Sequence, residues 1–224
     1  MSTHRQLSSP VSSQVSVLDR LRALPSVFRG ADLTVRFGWT SKNASQYLYL
    51  WGRRGLVSGL GGHSDVFFNL LTHPDPDLPA AVRMVMPTAT VVGTEALRQA
   101  GWSTQIDQRP DLAVSNDQAQ FTLSAFNVTP RSPKWFDITR NSMAPAEGLG
   151  LSVLRPAWAL ADLLRKRDWE DFGLMPDDID WSEVTDQDHQ DWDHARLALK
   201  LDAPDFNDLM VAGRDHAAVP TPVA

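Results

Sequence analysis

The chain of 224 residues contains no cysteine, so neither a disulfide nor a thiolate metal site can belong to its chemistry. That composition suits a reducing compartment. No apolar run approaches the roughly 18 residues that a membrane helix needs. The first residues, MSTHRQLSSPVSSQ, lack the apolar centre of a signal peptide. A soluble, cytoplasmic protein with no membrane partner is expected. Also missing are a G-x-x-x-x-G-K-S/T loop, an H-E-x-x-H pair and a G-x-S-x-G elbow. Gly59, Gly61 and Gly62 look superficially like a phosphate loop, but no Lys follows them and no helix is expected after them. Neither an enzyme nor a bound cofactor is expected.

What is present is folded-protein composition and an uneven charge. A hydrophobic fraction of 42% and 8 Trp indicate packed cores. Residues 1–74 carry 8 Lys or Arg against 3 Asp or Glu, residues 75–160 carry 7 against 8, and residues 161–224 carry 6 against 16. A basic head suits a polyanion, whereas an acidic tail suits a basic protein surface. The net charge of −6 therefore does not exclude nucleic acid; it confines it to one end.

The expected class is α+β, in two folded parts. Residues 1–14 are Ser-rich and aperiodic and read as a flexible tail. Residues 15–71 read as a winged helix-turn-helix. Val17, Leu18, Leu21 and Leu24 share a helical face that Pro25 ends, a second helix spans Gly30–Phe37 and stops at Gly38, and Thr40 or Ser41 caps a third. In that third helix Ala44, Tyr47, Leu48 and Trp51 follow the i, i+3, i+4, i+7 rule. Two apolar stretches, Leu56–Leu60 and Val66–Leu71, flank a glycine-rich tip and read as a hairpin.

Residues 72–79, with Pro74, Pro76 and Pro79, read as a linker. Residues 80–203 read as a mixed α+β domain with an acidic C-terminal part. Helices are expected at Ala80–Met86 and from Thr94 to a Gly101 stop. Strands are expected at Leu112–Val114, Phe121–Val128, Trp135–Thr139 and Leu149–Leu154, then a helix opened by Pro156. Residues 204–224 read as a tail.

Two regions could carry function. In a helix-turn-helix the third helix enters the major groove, so its polar face must offer hydrogen-bonding groups. Lys42, Asn43, Ser45 and Gln46 lie in its first turn and a half, and Tyr49 and Arg53 continue that face. Asn and Gln can read adenine, and Lys can reach guanine or phosphate. Arg29, Arg36, Arg53 and Arg54 could neutralise phosphates and set the register. The same face could equally be the solvated side of a protein-binding module. Residues 59–71 hold no Lys or Arg, and Asp65 would repel phosphate.

The second region is acidic: Asp177, Asp178, Asp180, Glu183, Asp186, Asp188, Asp191 and Asp193 crowd together with His189 and His194. A calcium loop opening at Asp178 would want glycine where Glu183 stands. His189 and Asp193 are spaced to share a helix face and a divalent metal. A solvated acidic helix or a docking surface for a basic partner are the other readings, so no metal is assigned.

Three stretches in order, LYLWGRRGLVSGLGG, PTATVVGTEALRQAGWSTQ (residues 87–105) and LSVLRPAWALADLL (residues 151–164, with Asp162 as its acid), resemble the AbiEi-type abortive-infection antitoxins of type IV toxin–antitoxin operons. The resemblance spans roughly residues 17–170. It implies a winged module that binds inverted repeats of operator DNA in its own promoter and a C-terminal domain that opposes a cognate nucleotidyltransferase-like toxin, in the strict type IV case without a stable complex. It places recognition-helix contacts on Lys42, Asn43, Ser45, Gln46 and Tyr49, with Arg53 and Arg54 beside the phosphates. The stretch GGHSDVFF departs from the family's basic-Gly-aromatic wing step, and the acidic region after Asp168 is not part of the family pattern. The rival expectations are a module that docks the toxin without reading DNA, and a one-component regulator that senses a small molecule.

Overall fold

A computed structural model describes residues 16–145, 150–165, 169 and 173–217; the tail expected over residues 1–14 lies outside them. The chain divides into two compact units. One comprises the residues up to Gly59 and Phe67–Asp77, the other Leu60–Val66 and everything from Leu78. The second boundary falls inside the proline-rich stretch and ends the expected linker two residues early, because Leu78 already opens a helix.

The first unit runs α1 (Val17–Arg22), β1 (Val27–Arg29), α2 (Gly30–Phe37), α3 (Ser41–Arg53), β2 (Val57–Gly59) and β3 (Val66–Asn69). Ser16 caps α1, and α2 ends on Gly38 at φ 64°, a left-handed position that favours glycine. The sheet order is β1-β3-β2, with β2 and β3 antiparallel and Ser58 opposite Phe68. The core gathers Leu21, Leu24, Phe28, Leu33, Ala44, Trp51 and Val57. Asn69 is wholly buried. Its amide donates to the carbonyls of Leu21 (2.9 Å) and Leu24 (3.1 Å), so the end of α1 is tied to the sheet. β1 was not expected from the sequence. Only Val27 and Phe28 of its three residues are buried, too short a run to show alternation.

The second unit continues with α4 (Leu78–Val85), β4 (Thr90–Val92), α5 (Thr94–Gln99), β5 (Asp111–Ser115), β6 (Asn127–Arg131), α6 (Pro133–Thr139), β7 (Met143–Pro145), β8 (Ser152–Leu154), α7 (Pro156–Leu164), α8 (Asp186–Leu199) and α9 (Phe206–Ala217). Five strands form a mixed sheet in the order β6-β5-β4-β8-β7, parallel at β5/β6 and β4/β8 and antiparallel elsewhere. Every residue of the central β4 is buried. Helices and two sheets make the chain α+β.

Three expectations are corrected. The strand expected at Phe121–Val128 starts only at Asn127. The preceding residues turn because the Arg109 guanidinium takes the carbonyls of Leu123 (3.2 Å) and Phe126 (3.0 Å). Pro130 is tolerated in β6 because that strand is an edge. Trp135–Thr139 is the body of a helix, not a strand. Ser132 accepts from the Trp135 amide (3.3 Å) and Pro133 fills the first turn, start signals that outweigh the β preference of Trp135, Phe136 and Ile138.

The tail expected from residue 204 holds α9. The Phe206 ring is 3% exposed and stacks on Trp192 at 5.3 Å, meeting Trp102 at 5.7 Å and Trp181 at 5.8 Å. Among the described residues no helix is long and apolar enough to cross a membrane.

Candidate nucleic-acid interface

The most exposed cationic helix of the first unit is α3, and its sequence fixes how it is presented. The hydroxyl of Thr40 accepts from the Asn43 amide at 3.2 Å, starting the helix three residues after α2 ends. One side of α3 packs into the core through Ala44 and Trp51, with Tyr47 and Leu48 half-buried. Trp39 stacks on Tyr47 at 4.2 Å with planes 21° apart, and the Arg20 guanidinium lies 5.3 Å from the Trp39 ring centre. Aromatic and cation–π contacts thus pack the turn that leads into α3.

The opposite side is solvent-facing. Lys42, Gln46, Tyr49 and Arg53 recur at helical spacing along its centre and are all exposed. Ser45 and Asn43, also exposed, lie about a quarter-turn to either side. No ion pair or side-chain hydrogen bond among the described residues engages Lys42, Gln46 or Arg53. No Asp or Glu occurs between Asp32 and Asp65, while Arg36, Lys42, Arg53 and Arg54 do.

The remaining expected cations are exposed on neighbouring elements. Arg29 precedes α2, where its backbone N–H donates to the Asp32 carboxylate at 2.8 Å. Arg36, in the last turn of α2, donates to the Ala23 carbonyl at 3.3 Å. Arg54 follows α3 as its C-cap. Structure therefore brings Lys42, Gln46, Tyr49 and Arg53 onto one stripe and puts Asn43 at its margin. Sequence reasoning missed Arg20, a further cation beside the turn; its contact with Trp39 spans too much chain for local spacing to reveal.

The tip between β2 and β3 turns through Gly61, Gly62 and His63, at φ 86°, 59° and 62°, and Ser64 closes it by donating to the Gly61 carbonyl at 2.7 Å. His63 is the one non-glycine residue of the three.

Several charged residues of the second unit, Asp162, Asp191 and Glu95 among them, are buried and paired with arginines. Asp162, from the third resembling stretch, is 3% exposed and accepts from Arg131 Nη2 at 2.7 Å and from the Trp135 indole at 2.9 Å. Arg155 pairs with the buried Asp191 at 3.1 Å. Glu95 accepts two bonds of 2.7 Å from Arg98, which hold its carboxyl below the usual range against the opposing effect of burial. Asp107 is pushed up, first by burial and then by the charges of Asp111 and Glu95. The His189 ring packs against Phe206 at 5.1 Å with the planes 85° apart, and Asp193 lies 3.6 Å from Arg196.

No protein-family model matches the chain, and no curated protein sequence is similar to it. Among solved structures, the crystal structure of the RV2827C protein from Mycobacterium tuberculosis is similar, with 15% identity, a TM-score of 0.48, and coverage of 88% of this chain and 75% of that one. The exposed face of α3 carries amide, hydroxyl, phenol and cationic groups.

Proposed function

We propose that the first unit is a winged helix-turn-helix that binds operator DNA through α3, and that the chain is an antitoxin which represses its own operon. The observation that carries the DNA half is the exposed, unengaged stripe Lys42–Gln46–Tyr49–Arg53 in a stretch free of carboxylates. The element order α-β-α-α-β-β, with β1-β3-β2 as sheet order, agrees with such a module.

In this reading Lys42, Gln46, Ser45 and Asn43 face base edges, and Tyr49 lies deeper along the groove. Arg29, Arg36, Arg53 and Arg54 hold phosphates. The wing tip, with neither Lys nor Arg, contributes no side-chain cation. The antitoxin half rests on the three sequence stretches that resemble AbiEi-type antitoxins. The partner it implies is a nucleotidyltransferase-like toxin encoded alongside.

A promoter–reporter fusion of the operon, with and without the chain, tests the first half. Repression that disappears in Lys42→Ala/Gln46→Ala supports it, and equal expression in all three strains refutes it. Co-expression with the neighbouring toxin gene tests the second: growth restored by the chain supports it, and unrelieved toxicity refutes it.

One observation favours a rival, in which the chain docks a basic protein. On α8, Asp186, Gln190, Asp193 and Leu197 form an exposed stripe. A stable stoichiometric complex with the toxin, combined with no promoter binding, would select that reading.

A further inference from the structure

The donors and acceptors along α3 differ with position, and their spacing bears on which bases they can read. Lys42 and Gln46 stand one turn apart near the N-terminal end of the stripe, both exposed and unengaged. A four-residue step covers about 6 Å of helix axis, and base pairs rise by about 3.4 Å. Side chains on this pair of positions therefore address bases about two steps apart in a groove the helix follows.

Their chemistries are complementary to different purines. An ammonium group only donates, and in the major groove guanine presents two acceptors, O6 and N7. A carboxamide donates and accepts at once, which matches N7 and the N6 amino group of adenine. The carboxylate acceptors that pair canonically with a cytosine amino group are absent from α3, since no Asp or Glu occurs between Asp32 and Asp65. Asn43 has the same functional group as Gln46 but sits at the margin of the stripe, and Tyr49 lies beyond Gln46, further from the N-terminus.

We infer that each half-site is specified by a guanine read by Lys42 and an adenine read by Gln46, about two base-pair steps apart, with Gln46 as the residue that sets adenine preference. This rests on the DNA-binding reading above.

The test is selection of bound duplexes from a library of random double-stranded DNA, using the full chain and its Gln46→Ala and Lys42→Ala variants. The selected site is then resynthesised with 7-deazaadenine at the conserved adenine. The inference requires a guanine and an adenine at that spacing in the selected sites. It also requires that Gln46→Ala lose discrimination at the adenine alone, and that 7-deazaadenine weaken the parent about fivefold to a hundredfold while leaving Gln46→Ala unaffected.

Both variants alter exposed side chains, and far-ultraviolet circular dichroism matching the parent shows that they fold. A selected motif whose adenine preference survives in Gln46→Ala overturns the inference while leaving DNA binding intact. Absence of any selected sequence, with no retention of duplex at low salt, overturns the DNA-binding reading and the inference with it.

Discussion

Replacing Asp162 with Ala is expected to destabilise the second unit severely, and the reason can be worked from three residues. The carboxylate accepts from Arg131 at 2.7 Å and from the Trp135 indole at 2.9 Å. The side chains of Arg131 and Asp162 are only 10% and 5% exposed, and the guanidinium also lies 5.4 Å from the Trp135 ring centre. These contacts join β6, α6 and α7. Removing the carboxylate leaves a buried cation without its counter-charge and a buried indole N–H without its acceptor. Breaking a buried pair in this way costs about 3–5 kcal/mol.

At roughly 2–4 °C per kcal/mol for a chain of this size, the melting transition of the second unit should fall by about 6–20 °C. Asp162→Asn keeps an acceptor for Trp135 but sets an NH2 donor where Arg131 needs an acceptor, so it should fall by less than Asp162→Ala while remaining clearly destabilised. The double change Arg131→Met/Asp162→Leu removes both charges and should be better tolerated than Asp162→Ala, because no unpaired ion remains. Urea unfolding followed by tryptophan fluorescence and circular dichroism measures all three. A cost below about 1 kcal/mol for Asp162→Ala, or a double variant less stable than either single one, would refute the argument.

Further expectations concern single positions. Gly93 caps α5 at φ 71°, ψ −151°, a region that side chains rarely enter, and a Cβ there would lie 3.4 Å from the Asp111 carboxylate. Gly93→Ala should cost about 1–3 kcal/mol in thermal unfolding, and an unchanged melting temperature would contradict the strain. Asp107 has its folded-state pKa raised, so its charged form opposes folding above that pKa and the penalty fades as pH falls toward the unfolded value. Asp107→Asn should therefore raise the melting temperature at neutral pH, the gain closing as pH drops through the carboxylate range; a gain independent of pH would exclude this cause. Glu95, held low by Arg98, stabilises in the opposite sense, losing its contribution as pH falls through its folded pKa. Thr40→Ala removes the cap of α3 and should cost about 1 kcal/mol, while Thr40→Ser should restore most of it.

Local signals carried the first unit. Pro25, Gly38 and Thr40 punctuate three helices whose apolar spacing is regular, and the hairpin follows from two apolar runs around a glycine-rich tip. The candidate interface was legible for the same reason: a helix with Ala44 and Trp51 buried has to expose Lys42, Gln46, Tyr49 and Arg53. In the second unit the deciding contacts are long-range. Nothing local to Leu123 or Phe126 announces that Arg109 will take their carbonyls, and nothing near Phe206 announces three tryptophans. Ser132-Pro133 was a readable helix start, overshadowed by the β preference of the residues after it. The roles of Asp162 and Asp191 were not legible either, since their partners Arg131 and Arg155 lie 31 and 36 positions away.

The central claim is that α3 reads DNA. Fluorescence anisotropy of the chain against its own upstream DNA and a scrambled duplex, across a series of salt concentrations, tests it most directly. The account predicts preference for the native sequence, lost in Lys42→Ala/Gln46→Ala. If Arg29, Arg36, Arg53 and Arg54 all neutralise phosphates, the log–log salt slope should approach about −3.6 per bound copy. Equal affinity for both duplexes, or no binding at low salt, would contradict it.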